Sequence, residues 1–294
     1  MGSRIHAVDI AWEPTSAASS IDLEVRAGEG CLRKANVEPK DVGILINAGI
    51  YRDRHIIEPA IASFIQRGIG ANEDLNGTPG TFSFDLSNGG CGLLTALMVA
   101  DGFLQSGLMR HALVVAGDAE PRAGKSHDFK HPPAAAAVLL TTGTGDEGFV
   151  TFRSDSDTNR LESHRGRVEW PGGGQTGSRL VMHSTAAYAE ECVDAAVEAL
   201  RAFLGETGLL DGDIDLVIPS QSPPHFLAGL KDRTGLGDRI VDVTDVYGDV
   251  HTAGMGMALD RVLSDGRFAA ARNVVFLTVG AGIATSLALY RVPR

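Results

Sequence analysis

Residues 81–120, reading TFSFDLSNGGCGLLTALMVADGFLQSGLMRHALVVAGDAE, restrict what this chain can fold into more than any other stretch. A short run of alternating β-formers breaks at Asn88-Gly89-Gly90, Cys91 opens an apolar segment, and a second strand ends at Gly117-Asp118. From Gly92 to about Leu104 the pattern is apolar on every face, including Leu93, Leu94, Ala96, Leu97, Val99 and Phe103, which predicts a helix through the middle of the molecule. Cys91 then stands at the positive end of that helix, where unpaired N–H groups and the macrodipole favour the thiolate, the form that attacks carbonyl carbon. Glycines on both sides let a thioester approach the backbone, and the same N–H groups are placed to hold an oxyanion. The alternative is a buried structural thiol, a common fate of cysteine. The Gly-Gly-Cys-Gly setting favours the nucleophile.

Strands and helices alternate through the rest of the chain. Strands are expected at Ile5–Ile10, Val42–Ala48, Ala134–Leu140 and Gly148–Arg153, the last two as a pair in one sheet, and helices at Ser16–Asn36 and Ile56–Arg67. Ala71–Gly80 reads as a loop, and the polar, Gly-rich segment Ser154–Ser178 as a link between halves. The pattern then restarts with helix Ser184–Leu204, strand Ile214–Ser220, a short helix from Pro224, strand Arg239–Val243, helix His251–Leu263, and strands Asn273–Thr278 and Ala284–Tyr290.

That restart is an internal repeat. Asp41-Val42-Gly43-Ile44-Leu45-Ile46 matches Asp213-Ile214-Asp215-Leu216-Val217-Ile218 at an offset of 172 (213 − 41), and Leu104-Gln105-Ser106-Gly107 matches Leu263-Ser264-Asp265-Gly266 at 159 (263 − 104). Two α/β halves related by a pseudo-two-fold axis are expected, residues 1–165 and 166–294. The second offset sets Asp249, Val250 and His251 opposite Cys91, so two helix N-termini should face each other at the centre.

Composition excludes several classes. A net charge of −11 with scattered basic residues argues against a nucleic acid or an anionic membrane as partner. No apolar run approaches a membrane span, and Met1-Gly2-Ser3-Arg4 does not begin a signal peptide, so a soluble, cytoplasmic protein is expected. Cys31, Cys91 and Cys192 lie far apart without CxxC spacing, as reduced thiols with no zinc site would, and Cys31 and Cys192 read as core. His6, His55, His111, His127, His131, His164, His183 and His225 lack metal-ligand spacing and are assigned to surface or core. No Gly-x-Gly-x-x-Gly follows a strand, so no nucleotide cofactor is expected.

Phe84-Asp85-Leu86-Ser87-Asn88-Gly89-Gly90-Cys91-Gly92-Leu93 with Ala112-Leu113-Val114-Val115-Ala116-Gly117-Asp118 resembles the nucleophile region of the thiolase superfamily, specifically the β-ketoacyl-ACP synthase III family. The resemblance covers most of the chain and implies a five-layered α/β/α/β/α fold, with Cys91 as acyl carrier and the backbone N–H groups of Cys91 and Ala281, in Val279-Gly280-Ala281-Gly282, as oxyanion donors. The family carries a His and an Asn in the second half. Here Ile218-Pro219-Ser220-Gln221 has Ser220 at the His position, and Tyr247-Gly248-Asp249-Val250-His251-Thr252 has either Asp249 at the Asn position or His251 as the second histidine of the elongating ketosynthases. The family's Gly-Asp-Gly-Ala-Gly-like turn is replaced by His131-Pro132-Pro133-Ala134-Ala135, and the Trp and Arg residues that clamp coenzyme A are missing around Trp12-Glu13-Pro14-Thr15.

These departures disfavour decarboxylative condensation, since an ionised Asp249 repels an enolate and Ser220 is a weak donor. Asp249 and His251 suit a general base that turns a hydroxyl or amine onto an acyl group. The expected protein is an acyltransferase of natural-product, polyketide-like biosynthesis, with Cys91, His251, Asp249 and Ser220 as catalytic residues, an acyl carrier protein or acyl-CoA donor and a small-molecule acceptor. The alternatives are a β-ketoacyl synthase with an unusual base set, or a catalytically silent partner of a ketosynthase. A homodimer pairing through Thr81–Leu86 is expected, with a heterodimer as the other possibility.

Overall fold

The computed structural model describes residues 2–13, 18–71, 80–122, 126, 129–143, 146–170 and 177–294. The chain runs β1 (Arg4–Trp12), α1 (Ser20–Ala35), β2 (Ile44–Asn47), α2 (Ile61–Gly68), β3 (Phe82–Asp85), α3 (Gly92–Gln105), β4 (His111–Asp118) and β5 (Ala134–Thr141). It continues with β6 (Gly148–Arg160), β7 (His164–Glu169), β8 (Arg179–Ser184), α4 (Tyr188–Thr207), β9 (Leu216–Pro219), α5 (Phe226–Thr234), α6 (Thr244–Tyr247), α7 (Gly254–Ser264), α8 (Arg267–Ala270), β10 (Asn273–Gly280) and β11 (Gly282–Arg291).

Among the described residues two large sheets form, in the orders β1-β5-β4-β2-β3 and β6-β11-β10-β9, beside a two-stranded sheet of β7 and β8. Their apolar side chains sort into three clusters. Leu23, Ala27 and Cys31 of α1 and Ile61 and Ile65 of α2 pack on one face of the first sheet, against Leu45, Leu113 and Val115. Leu93, Leu97 and Leu104 of α3 and Met257, Leu259 and Val262 of α7 lie between the other face (Ile44, Ile46, Val114) and the second sheet (Ile218, Phe276, Ala288). Val193, Leu200 and Phe203 of α4 and Phe226 and Leu230 of α5 cover the far side of the second sheet. The result is the α/β/α/β/α stack, and α3, apolar all round, is in its middle layer as its sequence requires.

The repeat is visible element by element. β6, α4, β9, α5, α7, β10 and β11 take the places of β1, α1, β2, α2, α3, β4 and β5, so the sheet orders coincide strand for strand. The counterpart of β3 is a single parallel bridge, Val217 to Ile240. The strand expected at Arg239–Val243 does not form because the Gln221 amide takes the partner's role, donating to Val241 O and accepting from Val243 N–H. The helices α3 and α7 begin at Gly92 and Gly254, an offset of 162 (254 − 92) rather than 159, which sets His251 opposite Gly89.

Other boundaries differ for local reasons. α1 starts at Ser20, where the Ser19 hydroxyl caps Asp22 N–H, while Ser16 and Ala17 lie outside the described residues. α2 starts at Ile61 rather than Ile56, since the Asp85 carboxylate accepts from the N–H groups of Ile61 and Ala62. Most of the loop expected at Ala71–Gly80 also lies outside the described residues. The expected link from Ser154 to Ser178 is instead the end of β6, paired with β11 up to Arg160, followed by the β7–β8 hairpin. β6 is also not a partner of β5; it belongs to the second sheet, so the second set of elements begins near residue 148 rather than 166. No helix among the described residues is long and apolar enough to cross a membrane.

Candidate active site

The 3-10 turns Gly89–Cys91 and His251–Ala253, which lead into α3 and α7, pack against each other at the centre. Beside them opens a cavity of about 1170 Å³, walled on one side by the β7–β8 hairpin and the start of α4 and on the other by His131, Asp249 and His251. Of five non-glycine residues with positive φ among the described ones, Arg54, His55, His225 and His251 line this cavity. Such conformations are costly and cluster where function over-determines the backbone.

Two imidazole–carboxylate pairs meet there. His251 Nδ1 lies 2.7 Å from Asp118 Oδ2. A carboxylate only accepts, so Nδ1 carries the proton and Nε2 is the basic nitrogen. Asp118 is fully buried at the end of β4, and it also accepts from Thr252 Oγ1 and N–H through Oδ2 and from the N–H groups of Ile50 and Tyr51 through Oδ1. Burial alone would raise its pKa, but the His251 charge and these hydrogen bonds outweigh it and hold the carboxyl below its ordinary value.

In the second pair His131 Nδ1 donates toward Asp249, 3.0 Å from its carbonyl oxygen and 3.3 Å from Oδ1. Burial opposes both charges, yet the mutual bond prevails, raising the His131 pKa and lowering that of Asp249, which also accepts from the Ser222 hydroxyl. Asp249 Oδ1 takes the His251 N–H at 3.1 Å, which links the pairs. The two rings stand 4.8 Å apart, and buried Tyr51 contacts both, at 5.8 Å from His131 and 5.0 Å from His251.

Cys91 does not join this group. It has no exposed surface, and its Sγ donates to Ala284 O at 3.4 Å on β11, beside the hydroxyls of Thr278 and Ser286, residues that do not line the cavity. Burial pushes the thiol up to about 11, against those hydroxyl bonds, so desolvation prevails over the helix terminus that was expected to favour thiolate. Its N–H donates to Asn88 O at 3.0 Å and is not available as an oxyanion donor. The glycines explain the arrangement. A Cβ at Gly90 would come 2.4 Å from Val279 O, and one at Gly280 3.0 Å from Gly90 N, so the two turns touch backbone to backbone and the first side chain beyond them points into the second sheet.

Ser220 is likewise buried outside the cavity lining, its Oγ accepting from Val279 N–H at 3.1 Å and its N–H donating to Leu277 O. It stitches β9 to the end of β10. Ala281, Asp249 and His251 do line the cavity. His55, His131, His164 and His225, assigned from sequence to surface or core, line it too, and Asp118 was missed. The available signal for Asp118 was a charge ending an otherwise apolar strand; for His131 it was the Pro-Pro pair replacing a glycine turn. Trp12, by contrast, packs on Tyr247 in the core. No group of three or more His, Cys, Asp or Glu among the described residues is arranged to hold a metal ion.

Comparison with known proteins agrees with this architecture. The family model for 3-oxoacyl-[acyl-carrier-protein (ACP)] synthase III matches residues 84–158, and the model for its C-terminal part matches residues 204–292. The chain belongs to the thiolase superfamily, in its 3-oxoacyl-ACP synthase III branch. A β-ketoacyl-ACP synthase III of Rhizorhabdus wittichii is 27% identical over 277 residues, covering 92% of this chain and 83% of the relative. The solved structure of 3-oxoacyl-ACP synthase III from Aquifex aeolicus superposes with a TM-score of 0.82 at 18% identity, covering 99% of this chain and all of the other. That of the priming β-ketosynthase from the R1128 polyketide pathway gives 0.82 at 21% identity, over 99% and 96%.

Proposed function

We propose that this synthase III relative transfers an acyl group from a thioester to a hydroxyl or amine acceptor in fatty-acid or polyketide-type biosynthesis. The observation that carries the reading is His251 held by buried Asp118 at the wall of a cavity large enough for both substrates. In this reading His251 Nε2 takes the acceptor's proton as it attacks the acyl carbon, and Asp118 stabilises the imidazolium that forms. Arg54, Arg122 and Lys130 are exposed at the cavity, while Asp249 is its one acidic lining residue among those described. In a chain of net charge −11 this local excess of cations suits the phosphate of a pantetheine arm, as carried by an acyl carrier protein or CoA. Ionised Asp249 beside the reacting carbonyl disfavours enolate formation, which favours acyl transfer over condensation.

Cys91 is not the acyl carrier in this reading. Its burial also favours a second one, a chain without acyl-enzyme chemistry that serves as partner to an active ketosynthase. Thiol release from a panel of acyl-CoA and acyl-ACP donors, with hydroxyl and amine acceptors, separates the two. Acyl transfer predicts release that falls about 10²- to 10⁴-fold in His251→Ala; no release with any donor sinks it and leaves the partner reading.

A further inference from the structure

Acyl transfer builds negative charge on the carbonyl oxygen, and a donor aimed at that oxygen is often the largest catalytic contribution. Three groups expected from the sequence near that oxygen do not supply the donor. The Ser220 hydroxyl is buried outside the cavity lining, the Cys91 N–H donates to Asn88 O, and Asp249 is a carboxylate that only accepts. His131, one residue before the Pro132-Pro133 pair that leads into β5, is placed to supply it.

His131 and His251 are mounted alike. Both line the cavity and each is anchored through Nδ1, His131 on Asp249 and His251 on Asp118, which leaves Nε2 of both rings without a partner among the described residues. The rings lie 4.8 Å apart at 35°, close enough to reach two atoms of one reacting group. The groups that face His131 are Asp249 and His251 from the turn before α7, Asp118 from β4, Tyr51 from the segment after β2, and His164 from β7. Burial opposes a charge on His131, but the bond to Asp249 and then the charges of Asp249 and Asp118 outweigh it and raise its pKa. Burial, then the charges of His251 and His131, pushes His164 down to about 4, so it adds no opposing charge near neutral pH. With a proton on both nitrogens, His131 presents Nε2–H as a charge-assisted donor, about twice as strong as a neutral one. Arg54, Arg122, Lys130 and Arg167, the other cations of the cavity, are exposed, whereas the His131 side chain is only 11% exposed.

We propose that His131 is a catalytic residue of the transfer, binding the acyl carbonyl oxygen through Nε2–H while its neighbour His251 handles the acceptor's proton. The acceptor's oxygen or nitrogen attacks the carbonyl carbon, and the new C–O or C–N bond forms. Its proton passes to His251 Nε2, and the charge that develops on the carbonyl oxygen is held by His131, which keeps its own proton throughout. The adduct then collapses, the C–S bond breaks, and the sulfur leaves with the proton from His251. No oxidation state changes, and the role of His131 is the same whichever sulfur carries the acyl group. Asp249 is a positioning residue that holds the His131 ring through Nδ1 and keeps it charged.

This inference rests on the acyl-transfer reading of the cavity, and the test keeps the two apart. The probes are ketone analogues of acyl-CoA, labelled with carbon-13 at the carbonyl and carrying CH2 in place of the thioester sulfur, so that they bind without turning over. The stretch of the bound carbonyl is read by isotope-edited infrared spectroscopy, beside kcat and KM for thiol release. In His131→Asn the amide nitrogen takes the place of Nδ1, so the anchor to Asp249 is kept and the cavity donor is lost. In His131→Gln the amide reaches the position of Nε2. The stretch should be lowered in the parent, return toward its free value in His131→Asn, and be lowered again in part in His131→Gln, which excludes misfolding as the cause of the loss. In step with it, kcat should fall about 10²- to 10³-fold in His131→Asn with KM within about threefold, and recover in part in His131→Gln. Because Asp249 raises the His131 pKa, the lowered stretch should disappear at lower pH in Asp249→Asn than in the parent. A stretch indifferent to His131→Asn, or kcat unchanged in that variant, overturns the proposal while thiol release keeps acyl transfer standing. A His131-dependent stretch without thiol release from any donor supports the carbonyl site and sinks the acyl-transfer reading. Failure of every analogue to bind sinks both.

Discussion

Replacing Asp118 by Asn exchanges one acceptor atom for a donor inside a closed hydrogen-bond set, and the consequences follow from the partners. With the amide oxygen toward Ile50 and Tyr51, their N–H bonds survive, and the nitrogen falls where Oδ2 received Thr252 N–H, Thr252 Oγ1 and His251 Nδ1. The threonine hydroxyl can turn and accept. Thr252 N–H, in a residue 3% exposed, cannot, and is left unpaired at about 1–3 kcal/mol. The bond from His251 to a charged group, about 1.5–3 kcal/mol, is recovered only in part by a change of tautomer. The net cost is about 2–4 kcal/mol, which for a chain of this size is a drop in Tm of about 5–15 °C in a thermal unfolding scan. Activity falls further than stability, since the new tautomer puts the proton on His251 Nε2 and removes the base; thiol release should drop about 10²- to 10⁴-fold at temperatures where the variant is folded. A variant whose Tm and thiol release both match the parent would refute the assignment of Asp118 as the group that holds His251.

Glu24 is fully buried, and burial, then the charges of Asp118, Asp53 and Asp85, raise its pKa well above the ordinary value against a backbone hydrogen bond from Gly117. Because the unfolded chain releases this proton more readily, Glu24 costs stability increasingly as pH rises above the unfolded value, so the Tm advantage of Glu24→Gln should widen from pH 5 to pH 8; a constant gap contradicts the assignment. β3 is an edge strand with Phe82 half exposed beside Phe84 and Phe103, and a dimer pairing through it is expected by light scattering, converting to monomer in Phe82→Asp; a monomeric parent removes the idea. Labelled malonyl-ACP should release carbon dioxide slowly or not at all next to ionised Asp249, and a rate typical of condensing enzymes would contradict the charge argument.

Much of the fold was legible because periodicity survives the tertiary context: the all-apolar α3, the buried strands β2 and β4 and the repeat each follow from side-chain pattern alone. The expected link from Ser154 was misread because β6 beyond Arg153 and the β7–β8 hairpin are polar strands that face the cavity or solvent, so no apolar alternation marks them. At the site, the repeat set Asp249 and His251 opposite Cys91; both line the cavity beside the two helix starts, with the register shifted by three residues. It could not tell which way Cys91 points. That depends on a backbone-to-backbone contact between Gly90 and Val279–Gly280, residues far apart in sequence, and a one-residue difference in where a side chain leaves a turn decides between cavity and core. The partners of Asp118 and His131 were not legible for the same reason, as each is bonded to a residue from a distant element.

The central claim is that acyl transfer proceeds from the histidine-lined cavity and not from Cys91. The most direct measurement is the rate of thiol release from a productive donor and acceptor by the parent, Cys91→Ala and His251→Ala, each shown to be folded. The account predicts that Cys91→Ala stays within about threefold of the parent, because removing a buried thiol perturbs packing only, whereas His251→Ala loses about 10²-fold or more. Loss of activity in folded Cys91→Ala, with an acyl adduct mapped to Cys91 in the parent, would contradict it.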